Sequence, residues 1–216
     1  MPVSKEVSVP RPKANDSRDE LIQLFERNGI DIKRGPIFDE APALPEGGIP
    51  FDRFEGMMLG LAVGDALGNT SESIAPAERR LAHGEIRDYL PNRRAGGRRV
   101  GLPSDDTQLA FWTLDQMLDD GGKLVPGNIA RRFLSSGRIF GMGATMRQFL
   151  ANYRQVTSWS AAGGKSAGNG AIMRIAPVVY SHLANPSELL WSDAAILAMI
   201  THNDSAAIAS CVGFTA

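Results

Sequence analysis

Two adjacent carboxylates follow a proline and a serine in the stretch PSDDTQ, where an apolar helical pattern begins. Ser104, Asp105 and Asp106 therefore meet at a predicted helix start. Their hard oxygen atoms are the ligands that Mg²⁺, Mn²⁺ or Ca²⁺ prefer. The alternative is that Ser104 or Asp105 caps the helix, while the remaining acid favours its positive end. The spacing alone does not separate a metal site from a cap.

A second acidic segment, GLAVGDALGNTSES, comes earlier in the chain. Gly60, Gly64 and Gly68 recur every four residues, so they share one helix face and predict close packing against another backbone. Asp65 and Glu72 are acids among small and apolar residues. Each of them needs a partner, a solvated position or a function.

A glycine-rich loop, GGKSAGNGAIMRIAP, lies in the second half of the sequence. Backbone N–H groups of such a loop can bind an anion such as a diphosphate at a helix N-terminus. A flexible connector is the alternative. The GKS triplet is not a nucleotide P-loop, because Trp159 stands where that motif has its first glycine.

A third polar segment, THNDSAAIAS, separates two apolar patterns. Asn203 or Asp204 is predicted to cap the following helix. His202 falls in the turn between the helices. A lone histidine is usually a surface or hydrogen-bonded residue, so only its neighbours can make it part of a site.

The elements that must hold these segments are predicted to be helices, and the fold class is all-α. The first helix of the main domain begins with a capping box of Asp52 and Glu55 and ends at Gly68. The pattern contains no convincing alternating strand and no repeat. Further helices are predicted around residues 76–83, 105–119, 128–136, 143–157, 170–183, 187–200 and from 204 onward.

Residues 1–50 are predicted to be an N-terminal extension of a domain that covers residues 51–216. A short amphipathic helix in SRDELIQLFERNG would begin at Ser17 and stop at Gly29, and PIFDEAPALPEGGIP would be an extended, proline-rich tether. The apolar side of this helix must lie on the main domain or on a partner; its residues are Leu21, Ile22, Leu24 and Phe25. Seven of the thirteen prolines fall in the extension, namely Pro2, Pro10, Pro12, Pro36, Pro42, Pro45 and Pro50.

The charge balance argues against a nucleic-acid or membrane partner, since 23 basic residues stand against 24 acidic ones. The run NRRAGGRRVG is interpreted as a solvated loop, with the rim of a pocket as the alternative. The single Cys211 cannot form an internal disulfide, and the first residues lack the apolar core of a secretory signal. We therefore predict a cytoplasmic protein.

In order along the chain, GLAVGDALGNTSE, SDDTQ, SAGNGAIMR and THND resemble the consecutive signatures of the ADP-ribosylglycohydrolase family, which includes the dinitrogenase reductase-activating glycohydrolase. The resemblance covers about residues 51–216. It implies an all-α, magnesium-dependent hydrolase that removes ADP-ribose from modified protein side chains, with arginine favoured. The bond cleaved would be a glycosidic bond, through a transition state with oxocarbenium character.

The resemblance also implies a role for each matching position. Ser104, Asp105 and Asp106 would bind metal in a site for two Mg²⁺ ions, with Mn²⁺ as the alternative metal. Glu72 and Asp106 would be catalytic, with Glu72 placing the attacking water or moving its proton. The diphosphate and distal ribose would be held by Ser166, Gly168, Asn169, Gly170 and His202. At Gly168 the backbone would approach the ligand, which requires the absence of a β-carbon there.

The sequence departs from the family pattern in one respect, because it has no counterpart of a later Asp-x-Asp-Thr/Ser motif that supplies further metal ligands. We expect that the chain is a fragment of a longer protein. The alternative function is an ADP-ribose-binding or toxin-binding protein without catalysis. The chain resembles some bacterial members of the family that have an added N-terminal arm and act as immunity proteins against ADP-ribosylating toxins, and this resemblance implies a toxin partner for residues 1–50.

Overall fold

The structure is a computed structural model that describes residues 17–43, 48–156, 158–183 and 186–216. The predicted all-α class is confirmed, and the described strands form one antiparallel pair, β1 (Pro91–Asn92) with β2 (Arg98–Arg99). Within these ranges no helix is both long and apolar enough to cross a lipid bilayer. The helices are α1 (Ser17–Glu26), α2 (Phe51–Gly68), α3 (Pro76–His83), α4 (Asp105–Asp119), α5 (Pro126–Ser135), α6 (Ala144–Val156), α7 (Trp159–Ala162), α8 (Leu189–Met199) and α9 (Ser205–Phe214).

The core is built around α8, in which every residue from Leu190 to Met199 is buried. A helix that is apolar on all sides must be surrounded by other elements. Helices α1 and α9 pack on α8 together with two 3-10 helices, Asn169–Arg174 and Ala176–His182. This arrangement brings the segments that directly precede and follow α8 close to the polar segments described in the sequence analysis.

Helix α1 packs on the main domain. Its Leu21 and Leu24 are buried in the main core cluster, and the ring of Phe25 lies 5.6 Å from that of Phe38. Of the two alternatives for the apolar side of this helix, the main domain is therefore the one that holds for Leu21 and Leu24, and these two leucines are not free to anchor a partner. The prolines Pro2, Pro10, Pro12 and Pro45 lie outside the described residues, and the predicted boundary near residue 50 stays a prediction.

The segment after α1 is not wholly an extended tether. Residues Pro36–Asp39 form a 3-10 turn that buries Phe38. The backbone carbonyl of Glu40 accepts a hydrogen bond from the indole of Trp191 in α8, at 2.7 Å. This proline-containing stretch folds against the domain because it buries the ring of Phe38 and provides a hydrogen-bond acceptor for the indole N–H of Trp191.

Two helix ends differ from the predicted ones. Helix α1 ends in a left-handed residue at Asn28, with φ of +51°, and the N–H of Gly29 donates to the carbonyl of Leu24 at 2.8 Å. Asparagine therefore takes the position where glycine was expected. Helix α2 begins at Phe51 after Pro50 and has no side-chain cap, so the predicted capping box of Asp52 and Glu55 is wrong.

The glycine stripe of α2 does not pack against another backbone within the described residues. A β-carbon built at Gly60, Gly64 or Gly68 meets no described atom within 4 Å. Gly64 and Gly68 instead line an open depression beside α3. The close helix packing predicted from their spacing is therefore wrong for this part of the chain.

The predicted helix over residues 170–183 is two 3-10 helices that meet at Ile175. Pro177 stands in the first turn of the second one. Because proline has no N–H to donate, a continuous α-helix cannot run through this position. The shorter pieces let the glycine loop turn toward α4, on which the first of them packs.

Candidate functional site

The polar segments singled out in the sequence converge on one cavity of about 490 Å³, a volume typical of small-molecule sites. Acids from the start of α4 lie in the same cavity as the glycine loop and the turn before α9. The predicted site residues that line it are Glu72, Asp105, Asp106, Gly168, Asn169, Gly170 and His202. Ser104 directly precedes the lining residue Asp105, and Ser166 comes two residues before the lining residue Gly168, but neither serine lines the cavity.

The start of α4 is capped by Asp65, a residue of α2. Its carboxylate accepts the backbone N–H of Ser104 at 2.7 Å and the hydroxyls of Ser104 and Thr107 at 2.6 and 2.5 Å. The amide of Asn69 donates to it at 2.9 Å. The alternative that the side chain of Ser104 or Asp105 caps the helix is therefore wrong. The cap comes from another helix and fixes where α4 begins.

Burial and hydrogen bonding act on Asp65 in opposite directions. Burial disfavours the charged carboxylate, but the hydrogen bonds from Ser104, Thr107 and Asn69 together hold the pKa of Asp65 below its usual value. Asp65 therefore stays ionised and adds a fixed negative charge behind the acids of α4.

The acids in the cavity carry negative charge that no described basic residue neutralises by an ion pair. Burial, followed by the charges of Asp65, Asp105 and Glu72, raises the pKa of Asp106 to about 6. Burial also raises the pKa of Asp105, although hydrogen bonds from the backbone of Asp105 and Gly143 oppose it. Such a cluster favours either protonation or a bound cation.

The donor set fits a hard divalent cation in charge and in atom type, because Asp105, Asp106 and Glu72 offer carboxylate oxygens to one cavity. It is incomplete as a cage: in the ranges described above, no three His, Cys, Asp or Glu side chains are placed to hold one ion. Ser104 gives its hydroxyl hydrogen to Asp65, which leaves the oxygen lone pairs for a cation. Metal binding by these residues stays a prediction.

Gly141 supports Asp105 from the loop before α6. It has φ of +80°, and a β-carbon there would lie 2.8 Å from Oδ1 of Asp105 and 3.3 Å from the β-carbon of Ser104. Only glycine combines this backbone conformation with so close an approach. Sequence reasoning missed Gly141, although the pattern GMG before a predicted helix could have indicated it.

We expect Gly141→Ala to destabilise the protein by about 2–3 kcal/mol, since it combines backbone strain with a clash against a buried carboxylate. Gly137→Ala is the matched control: Gly137 has φ of +94° but no described atom within 4 Å of a β-carbon. The control should lose only about 1 kcal/mol, from the backbone alone. Chemical denaturation of both variants measures the difference, and equal losses would contradict the contact with Asp105.

The glycine loop contributes a polar wall opposite the acids. The hydroxyls of Ser166 and Thr145 are 3.0 Å apart, and the N–H of Gly168 donates to Ser166 at 3.4 Å. A β-carbon at Gly170 would lie 3.1 Å from the ring of His202, whereas one at Gly168 would make only ordinary contacts. The need for a missing β-carbon is therefore greater at Gly170 than at Gly168, where it was predicted.

The glycine loop is attached to the turn before α9 by backbone pairing. Gly164 donates to the carbonyl of Thr201 at 3.2 Å and accepts the N–H of Asn203 at 2.9 Å. A β-carbon at Gly163 would clash with the carbonyl oxygen of Met199 and would lie 2.9 Å from that of Ile200. Glycine at this position lets the loop lie directly on the end of α8.

The two residues after His202 have different structural roles. Asp204 caps α9 by accepting the N–H of Ala206 at 2.9 Å, which confirms one of the two predicted caps. Asn203 instead joins the turn to the segment after α1: it accepts the N–H of Asp31 at 2.8 Å and donates to the carbonyl of Gly29 at 2.9 Å.

His202 is buried at the inner end of the cavity, 4% exposed. Burial, with the charge of Arg174 as a second cause, lowers the pKa of His202 to about 4, so the ring is neutral near pH 7. Its Nδ1 lies 2.7 Å from the hydroxyl of Thr201. Sequence reasoning did not single out Arg174 or Thr201; an arginine inside the apolar run AIMRIAP was the available signal.

The basic run 92–101 forms the β1–β2 hairpin, and its arginines are exposed, as the interpretation of a solvated loop requires. The guanidinium of Arg94 lies 4.6 Å from the ring of Phe140, and that of Arg138 lies 5.0 Å from the same ring. Phe140 precedes Gly141, which lines the cavity. Phe140 itself does not line the cavity, so a place at its rim stays a prediction for this run.

Comparison with known proteins matches residues 48–216 to the model of a family described as ADP-ribosylglycohydrolase. An ADP-ribosyl-(dinitrogen reductase) glycohydrolase of Rhodospirillum rubrum is 32% identical over 169 residues, covering 74% of this chain and 55% of that protein. The ADP-ribosylarginine hydrolase Tri1 of Pseudomonas putida is 30% identical over 174 residues, covering 74% and 44%.

An uncharacterized protein of Archaeoglobus fulgidus is 35% identical over 169 residues, covering 74% of this chain and 53% of its own length. A solved structure described as an ADP-ribosylglycohydrolase-related protein complex superposes with a TM-score of 0.62 at 30% identity, covering 76% of this chain and 54% of that one. The chain thus spans about half the length of the curated relatives it matches.

Proposed function

We propose a function from the premise that the chain belongs to the ADP-ribosylglycohydrolase family: it binds the ADP-ribose group of a modified protein and takes part in removing it by hydrolysis. ADP-ribosylarginine is the favoured substrate, because a relative from Pseudomonas putida is named as a hydrolase of that linkage. The proposal concerns the protein to which this chain belongs, since the match covers only about half of each relative.

One observation carries the proposal: acids and a glycine loop that are distant in sequence line the same cavity. Asp105 and Asp106 come from the start of α4, whereas Gly168 comes from the loop after α7 and Asn169 begins the 3-10 helix that follows this loop. An ADP-ribose needs both kinds of wall, because its diphosphate suits backbone N–H groups while its reacting ribose needs oxygen ligands and a base. A general small-molecule pocket would not require this pairing.

The side chains can be assigned complementary tasks in this chemistry. Ser166, Gly168, Asn169 and Gly170 would hold the diphosphate and distal ribose. Glu72 is exposed in the cavity, so it can position a water molecule and take up its proton. The ring of His202 is neutral, so it neither attracts nor repels the ligand by charge. It would contact the ligand through a hydrogen bond.

Asp105, Asp106 and the oxygen of Ser104 would hold Mg²⁺ on the acidic wall. A diphosphate placed near these acids would be repelled by them unless a cation lay between the two groups. When bound, Mg²⁺ supplies orientation of the ribose oxygens and activation of water. Within the described residues no three His, Cys, Asp or Glu side chains are placed to hold one ion, so ADP-ribose binding without hydrolysis is the second candidate function.

The test is release of ADP-ribose from a protein modified on arginine, followed by mass spectrometry, with calorimetric titration of free ADP-ribose in parallel. We expect Mg²⁺-dependent release and saturable binding. A target modified on serine serves as the comparison substrate, and faster release from it would overturn the preference for arginine. Binding without release would select the second candidate function. Absence of both would contradict the proposal.

We further propose that the protein protects a cell against an ADP-ribosyltransferase toxin and acts in the cytoplasm. The hydrolysis proposed above would suffice for protection, because it reverses the product of such a toxin. Direct blocking of the toxin by α1 is not part of the proposal, since Leu21 and Leu24 are covered by the core. Protection of a toxin-exposed strain should then require Asp106, and protection by an Asp106→Asn variant would contradict it.

A further inference from the structure

The largest fully buried side chain among the described residues is that of an arginine, Arg174, with 0% exposure. No described carboxylate pairs with it. Burial lowers the pKa of Arg174 to about 10, offset partly by the thiol of Cys211, so the guanidinium is still charged near pH 7. A buried cation without an anionic partner is costly and requires hydrogen bonds to satisfy it.

The hydrogen bonds of Arg174 connect two walls of the cavity. Its Nη1 donates to the carbonyl of Gly170 at 2.9 Å, in the glycine loop. Its Nη2 donates to the carbonyl of Leu197 at 3.2 Å and to the hydroxyl of Thr201 at 2.5 Å, at the end of α8 and in the following turn. The guanidinium plane therefore holds the loop against the turn that carries His202.

The direction of these hydrogen bonds determines where the proton of His202 lies. A guanidinium has donors only, so the oxygen of Thr201 accepts from Arg174 and its single hydrogen must point elsewhere. Thr201 is completely buried, and Nδ1 of His202, at 2.7 Å, is the acceptor within reach. In a neutral ring whose Nδ1 accepts, the proton is on Nε2.

The Nε2 edge of the ring faces the glycine loop. It would lie 3.2 Å from a β-carbon at Gly170 and 3.8 Å from one at Gly168, and both glycines line the cavity. Nε2 forms no hydrogen bond with any residue in the described ranges. A donor that the protein leaves without a partner in a cavity is available to an oxygen atom of a ligand.

We infer that Arg174 and Thr201 are positioning residues that together fix the proton of His202 on Nε2 and present it to the cavity as a neutral hydrogen-bond donor. The acceptor is an oxygen of the bound ligand; that this ligand is ADP-ribose rests on the function proposed above. Because the donor carries no charge, it contributes to binding without competing with a cation at the acidic wall.

The test compares Thr201→Val, which keeps the side-chain shape and removes the hydroxyl, with Thr201→Ser, which keeps the hydroxyl. The readout is the ¹⁵N spectrum of the histidine rings in the full chain without ligand, in which a His202→Gln variant identifies the signals of His202. In the wild type we expect a protonated Nε2 and an unprotonated Nδ1 that accepts a hydrogen bond. Thr201→Val should shift the Nδ1 signal and Thr201→Ser should leave it in place.

Titration with ADP-ribose gives the second readout. Thr201→Val should weaken its binding about fivefold to tenfold, the effect of one misplaced hydrogen bond, while Thr201→Ser binds as the wild type does. A wild-type proton on Nδ1, or identical ring spectra for the two variants, would overturn the inference. If the spectra agree with it and ADP-ribose does not bind, the proposed ligand is wrong and the assignment of the proton stands.

Discussion

Asp106→Asn is expected to reduce Mg²⁺-dependent release of ADP-ribose by at least about 1,000-fold, because loss of a metal ligand removes several kcal/mol of transition-state stabilisation. The substitution keeps the size of the side chain and removes one charge from a repulsive cluster. Since burial and neighbouring acids already raise the pKa of Asp106 to about 6, the folded protein should be as stable as the wild type near pH 7, or more stable.

The control for Asp106→Asn is Asp119→Asn, which removes an exposed acid from the last turn of the same helix. It should leave the release of ADP-ribose unchanged. Addition of MgCl2 should raise the melting temperature of the wild type and of the control, and should not raise that of Asp106→Asn. Wild-type activity in Asp106→Asn would remove this residue from the metal site.

Asp65→Asn is expected to cost about 3 kcal/mol of stability, which lowers the melting temperature by about 6–12 °C for a chain of this size. The amide replaces one acceptor oxygen by a donor, although the surrounding groups of Ser104, Thr107 and Asn69 all donate to this side chain. Asp65 does not line the cavity. Its loss should also weaken the effect of Mg²⁺, because the start of α4 shifts.

Asp52→Asn, an exposed position on the same helix, is the control and should change stability by less than about 0.5 kcal/mol.

The pKa of Asp65 lies below 3.8, its usual value. Its carboxylate therefore stabilises the fold fully above about pH 4, and this contribution is lost as the pH falls below that value. The difference between wild type and Asp65→Asn in thermal melts should decrease correspondingly in acid; a constant difference would contradict the role of the charge.

Most helices of the main domain could be predicted from the sequence because their signals are local, although the short α7 was not predicted. Apolar spacing and turn residues placed α3 and α4 at the bounds that the structure has. The 3-10 helices could not be predicted in this way, since Pro177 interrupts a pattern that otherwise reads as one helix. The helix start at Ser104 was predicted correctly, but its cap comes from Asp65, and no spacing within one segment reveals a partner from another helix.

The four segments that form the site could be predicted from the sequence, but their arrangement around one cavity could not. Seven of the predicted residues line one cavity, whereas the residues that connect its walls were missed. Gly141 acts through a close contact with Asp105, and Arg174 acts through hydrogen bonds to residues on both sides of it in sequence. Such roles depend on distances between elements, which sequence patterns do not contain.

Because α1 packs on α8, the folded unit begins earlier in the chain than the part that matches the family. The family match begins at residue 48, whereas Leu21 and Leu24, which precede it, complete the hydrophobic core. A chain shortened to the matched residues would keep every predicted ligand contact and would expose the surface of α8 that these leucines cover. We expect self-association through that uncovered surface, so the segment that precedes the family match shields an apolar surface of the segment that contains the candidate site.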